Sequence, residues 1–199
     1  PSDNVTVQNG VIQQWVGDGV HASGVTGLRL QNVRVVQCVG DGIEAGSATL
    51  RDVTVADNDG AGIRAGSGMG AGKVSMQDFH FVHATGNGGG GIAYVGPCDA
   101  SARDSHVIGN IGNGVSWTSL AADEQASVRL ERCDVSGNTG RGLHISESSA
   151  VRVACSARDC TFLGNGGDGI AVLLTHLDAG LKLDLQDGYS SGNGGSGMN

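Results

Sequence analysis

The chain is poor in proline, in aromatic residues and in basic charge. With two prolines, and with glycine not at every third position, it is not collagen-like. Three Phe, two Trp and two Tyr among 199 residues leave a core that must be built from Val, Ile, Leu and Ala. No apolar run approaches the ~18 residues of a membrane-spanning helix, so no membrane partner is expected. Lys and Arg total 12 against 20 Asp and Glu, a net charge of -8. Without a basic stripe to meet phosphates, nucleic acid is not an expected partner. The five cysteines are odd in number and lack a Cys-x-x-Cys pair, so they form neither a disulfide framework nor a zinc site. The chain opens at Pro-Ser-Asp without methionine, and a mature or trimmed product is the expectation.

What is abundant is glycine, 36 residues. Inside helices each would cost roughly 1 kcal/mol, which argues against a helical bundle. At 39% hydrophobic residues the chain is too aliphatic for a disordered tail. A turn-rich β protein remains.

The glycines fall in one motif, Asn-x-Gly-x-Gly-aliphatic in its fullest form, met eight times. The copies are Trp15–Val20, Cys38–Ile43, Asn58–Ile63, Asn87–Ile92, Asn110–Val115, Asn138–Leu143, Asn165–Ile170 and Asn193–Met198. Their last residues lie 23, 20, 29, 23, 28, 27 and 28 positions apart. Ahead of the motifs run alternating segments such as Thr49–Val55, Val128–Val135 and Leu181–Leu185, the period of strands with one buried face. An Asx residue usually stands six positions before the motif: Asn9, Asn32, Asp52, Asp104, Asp159 and Asp187. In the fourth copy Asp78, nine positions before, is the expected equivalent, displaced by an insertion of three. A short strand follows each motif. Units of 20–29 residues cannot bury an apolar face alone. Stacked with parallel strands at about 4.8 Å per coil, they bury a continuous core. Glycine is expected at the corners for positive φ and for the absence of a Cβ, and Asn for its tolerance of the left-handed region. The amides of Asn58, Asn87, Asn110, Asn138, Asn165 and Asn193 are expected to bond up the axis as a ladder. Cys133 and Cys160 fall on the same inward position and read as buried free thiols, a disulfide between them being the alternative. Tyr94 and Trp117 share a register and read as a core aromatic stack, with a sugar platform as the alternative. Trp15, in place of the ladder Asn, is expected to cap the core near one end.

These Asn-x-Gly-x-Gly-aliphatic turns, with the alternating strands before them, resemble the right-handed parallel β-helix repeats of the pectate-lyase-like superfamily over essentially the whole chain. The resemblance implies an all-β, right-handed parallel β-helix of about eight coils without substantial helix. Residues 1–199 would form one domain with an open or trimmed C-terminal end. Exposed strand edges there would invite end-to-end or homo-oligomer contacts. The native chain is expected to be longer, or to have an end covered by disorder, another chain or another domain. The fold hosts lyases, hydrolases, epimerases, phage tail proteins and plain scaffolds, so it does not name a function.

Aligning the coils gives two clusters with chemistry. Asp18, His21, Asp41, Glu44 and Arg64 share one neighbourhood, with Asp18 and Asp41 about one coil apart. Close carboxylates raise a pKa or bind a cation, calcium being one possibility. Acid–base work on a sugar needs such groups. The alternative is a solvated polar ladder with Asp favoured at a turn. His80, His106 and Asp134 are expected on consecutive rungs as a base and its orienter, with His83 nearby. Stacked imidazoles without chemistry are the alternative. Asp18, Asp41, His80, His106 and Asp134 are the catalytic candidates, and His21, Glu44 and Arg64 the binding candidates, with no resident metal assigned. Neither cluster has the charge pattern the resemblance would demand of a pectate lyase. The paired-Asp and Gly-His-Gly motifs of polygalacturonases and the Asp-Pro-His motif of alginate epimerases are absent. The expectation is therefore a secreted or cell-surface β-helix engaging polysaccharide along its elongated face, with or without lyase, hydrolase or epimerase activity. The alternative is a non-catalytic structural module of an appendage, tail or adhesin.

Overall fold

A computed structural model describes residues 4–66, 68–69, 74–118, 125–147, 152–174 and 180–199. The chain winds as a right-handed parallel β-solenoid. Four long strands, Val5–Gln13, Leu28–Val36, Ala48–Ala56 and Ser75–Thr85, pair in parallel, and later rungs divide at a bend into two strands, as in Cys98–Arg103 and His106–Ile108. Together they make a 12-stranded sheet. Short strands from Val20–Ala22 to Ile170–Leu174 make a second, 7-stranded sheet. No helix occurs among the described residues. The turns number about six rather than eight.

The bend is a single left-handed residue. Asn9, Asn32, Asp52, Phe81, Asp104, Arg132, Asp159 and Asp187 all have φ between 50° and 56°. One such residue resets the in–out alternation, so Leu28, Leu30, Val33 and Val35 all face inward while Gln31 and Asn32 are both exposed. The fourth coil corrects the sequence expectation. Leu50 pairs with Phe79, Arg51 with His80 and Val53 with Val82. Phe81, six positions before Asn87, therefore occupies the corner, and Asp78 lies on the strand beside Thr49. No extra residue stands between this bend and the motif; the greater length of this coil arises earlier, between Ala65 and Gln77.

The asparagine ladder forms as expected. Nδ2 of Asn58, Asn87, Asn110, Asn138 and Asn165 donates to Oδ1 of the next Asn over 2.8–3.1 Å. Each Nδ2 also donates to a strand carbonyl of the preceding coil, as Asn110 does to Ala84 at 3.0 Å. These Asn residues are not left-handed. The left-handed residue is the one just before the motif: Gln14, Gln37, Asp57, then Gly86, Gly109, Gly137, Gly164 and Gly192. The motif's own second glycine serves close approach. A Cβ on Gly91 would lie 2.2 Å from Val107 Cγ1 and 2.7 Å from the Gly114 carbonyl.

One apolar core runs the length of the described solenoid. Tyr94 and Trp117 lie in register and buried, and Phe79 stacks on Tyr94 at 5.8 Å. Trp117 Nε1 donates to the Gly96 carbonyl at 2.8 Å, whereas the buried Tyr94 hydroxyl has no partner. All five cysteines are buried and free. Trp15 is 62% exposed and does not cover the core.

Candidate functional site

The first cluster is assembled by the first three corners. His21, Glu44 and Arg64 are register partners on three neighbouring short strands. The fourth motif position has a structural duty that the sequence did not disclose. Asp18 Oδ1 accepts the Asp41 N–H at 2.8 Å, and Asp41 Oδ1 accepts the Ala61 N–H at 2.7 Å. Asn113 does the same for Arg141 at 2.9 Å, and Asp168 for Ser196 at 2.7 Å. The recurrence of Asp or Asn at this position was the available signal. Asp41 is further held by Arg64, whose Nε lies 2.5 Å from Oδ2. Both Asp41 oxygens are thus occupied. Asp18 keeps Oδ2 for His21, whose Nδ1 lies 3.0 Å from it and 2.6 Å from Glu44 Oε2. The hydrogen bond to Asp18 and the negative Glu44 raise the His21 pKa above the usual imidazole value.

The second cluster lies on the 12-stranded sheet, past the left-handed bend. Its rungs are Thr54, His83, His106, Asp134 and Thr161, each beside the next in register. His83 takes the place expected of His80, because no extra residue lies between the bend and the motif to shift it. His106 Nδ1 lies 3.2 Å from His83 Nδ1, with the rings edge to face at 4.8 Å. Burial and the neighbouring His106 lower the His83 pKa. Asp134 Oδ1 accepts from Thr161 Oγ1 at 3.0 Å and from the Ser136 hydroxyl. Its orienting contacts therefore run to hydroxyls, while the imidazoles meet each other.

His80 sits across the bend, paired with Arg51 and Arg103. Arg51 approaches its Nδ1 at 3.1 Å, and its Nε2 lies 3.0 Å from Asp104 Oδ2. An arginine only donates, so these contacts fit the Nε2–H tautomer, with Nδ1 accepting. The Arg132 guanidinium, aided by His80, lowers the Asp104 pKa to about 2. His80 stacks on Phe81 with centroids 4.1 Å apart and planes 24° apart. Phe81 is 45% exposed and left-handed, where every other such bend carries a polar side chain. The sequence showed Phe81 plainly, but its value depends on a register that only the strand pairing fixes. A shallow depression across Arg129, Ser156 and Lys182 lies on the outer face before the bend, apart from both clusters.

No curated protein matches the chain. Two solved structures from Azotobacter vinelandii share the fold. The A-module of mannuronan C-5 epimerase AlgE4 superposes with a TM-score of 0.66 at 12% identity, over 96% of this chain and 55% of that one. The A-module of mannuronan C-5 epimerase AlgE6 gives a TM-score of 0.50 at 15% identity, over 97% of this chain and 58% of that one. The chain thus spans little more than half the length of either. Residues 1–177 match the family described as the right handed beta helix region, and with parallel rungs, an asparagine ladder and one continuous core along the described solenoid, the chain belongs to that family.

Proposed function

We propose that the solenoid engages a polysaccharide along the face that carries His80, Phe81, His83 and His106. The observation that carries this is Phe81. An aromatic residue at φ 54° is in a conformation that costs of order 1–3 kcal/mol. The strain turns its ring into solvent, parallel to an imidazole that Arg51 and Asp104 hold in place. A flat apolar ring with hydrogen-bonding groups at its edge suits a sugar, whose C–H face packs on aromatics and whose hydroxyls need partners. His83, His106, Asp134 and Thr161 supply such partners on successive rungs. Fold likeness to two modules named as mannuronan epimerases supports the same reading. An extracellular or cell-surface setting goes with it, since long polysaccharides are met there.

The test is a panel of acidic and neutral polysaccharides, with and without calcium. Retardation in affinity gels reads binding, and unsaturated products, new reducing ends and sugar epimerisation read turnover. Retardation by at least one polysaccharide, weakened in H106A, is expected. No retardation and no product across the panel overturns the proposal. If turnover accompanies binding, the imidazoles of His83 and His106 are the groups placed to move a proton, and H83A and H106A abolish product while H144A retains it.

A further inference from the structure

We propose that Asp18, His21 and Glu44 bind one divalent transition-metal ion of the zinc type, independently of the polysaccharide face. Their donor atoms, one imidazole nitrogen and two carboxylate oxygens, all lie within 4.8 Å of one another. A tetrahedral ion with ligands at about 2.0–2.1 Å sets donors about 3.3 Å apart. The His21 contacts, 3.0 Å to Asp18 and 2.6 Å to Glu44, need only a small opening to reach that spacing. The His21 side chain is 64% exposed and free to make it.

The frame is already fixed. Asp18 is anchored through its other oxygen by the Asp41 N–H at 2.8 Å, so Oδ2 is aimed at the cluster without further ordering. Hydrogen-bonded ligating carboxylates are the usual support of a metal site. His21 and Glu44 come from register partners on adjacent short strands, so the spacing of their backbones is set by the sheet. The charge also favours a dication. Asp18, Asp41 and Glu44 carry three negative charges, and Arg64 returns one, bound to Asp41. Two negative charges remain on the Asp18–Glu44 side of the cluster.

The donor set chooses the metal class. Calcium takes six to eight oxygens and magnesium an octahedron of oxygens, whereas an imidazole with two carboxylates suits zinc and its first-row neighbours. Three protein ligands leave further positions open to solvent, the pattern of a site that also accepts an outside ligand.

Titration of metal-free full-length chain with ZnCl2 by calorimetry tests the proposal. Saturable binding is expected, and H21A and E44Q should each remove one ion per chain or weaken it at least about tenfold. Both side chains lie outside the core, so at a pH where the imidazole is neutral neither variant should change the metal-free melting curve. Co2+ in place of Zn2+ should give visible absorption bands that H21A removes. H83A and H106A should leave this ion in place. The proposal is overturned if ZnCl2 binds without saturation, if H21A binds as wild type does, or if the bound ion is lost in H106A and retained in H21A.

Discussion

Phe81 and Tyr94 are the residues whose placement costs the fold most clearly. At Phe81 the cost is conformational. Asn occupies the left-handed region far more easily, and it stands at the equivalent bends as Asn9 and Asn32. F81N should therefore melt at the same or a higher temperature than wild type while losing affinity for polysaccharide. Tyr94 carries a cost of another kind. Its hydroxyl is buried without a partner, and an unmet buried polar group costs about 1–3 kcal/mol. Y94F should be neutral or should stabilise by up to about 1 kcal/mol in denaturant unfolding, the ring keeping its contact with Phe79. His83 sets a pH dependence. Its folded pKa is lowered, so the unfolded chain binds a proton that the folded chain refuses. That term is fully favourable above the ordinary imidazole value of about 6.5 and is lost as pH falls through it. His144, lowered by burial and Arg141, adds to it, and His21, raised by Asp18 and Glu44, opposes it. Melting temperatures measured between about pH 5 and pH 8 should rise less steeply in H83A than in wild type.

At the level of the repeat, two devices hold one coil on the next. Asn110 accepts from the Asn87 N–H and Nδ2 and donates to Ala84 and Asn138. N110A leaves several buried groups unmet, each costing about 1–3 kcal/mol, and should destabilise by at least about 3 kcal/mol in urea unfolding. G91A fails for steric reasons, since its Cβ would overlap Val107 and the Gly114 carbonyl of the neighbouring coil. A cost of roughly 1–3 kcal/mol or more is expected. The ladder was legible in the sequence because identical amides recur at a fixed corner. The role of the glycines was only half legible, since close approach and positive φ select the same residue from outside. In the fourth coil an Asx pattern misleads. Phe81 replaces the usual Asx at the bend, and alignment on Asp78 instead puts His80 in the column that belongs to His83. The constant offset of six to the ladder Asn was the better guide, because the core fixes the strand between bend and corner at one length. The hydrogen bonds of Asp18 and Asp41 to the next coil were marked only by the recurrence of Asp or Asn at the fourth motif position, as a carboxylate that caps a neighbour's N–H looks in sequence like one waiting for a substrate.

Over the whole molecule, one core and two parallel sheets make a surface in which functional groups are laid out by rung number. All five thiols are inside it. The hydrogen bond to Cys160 and burial raise the Cys133 pKa, and burial pushes Cys155 up to about 12. A disulfide-exchange reagent should leave the folded protein unlabelled and should titrate five thiols in denaturant, with a labelling rate that follows global unfolding. The rod also separates its two candidate sites, one at the corners of the first coils and one past the bend of the middle coils, so each can be removed without the other. The most direct test of the account compares wild type with F81N in one native gel containing the tightest-binding polysaccharide of the panel, beside a melting curve of each. The account predicts that F81N loses at least about tenfold in affinity, a loss of about 1.4 kcal/mol or more, with no fall in melting temperature. Equal retardation of the two proteins would contradict it.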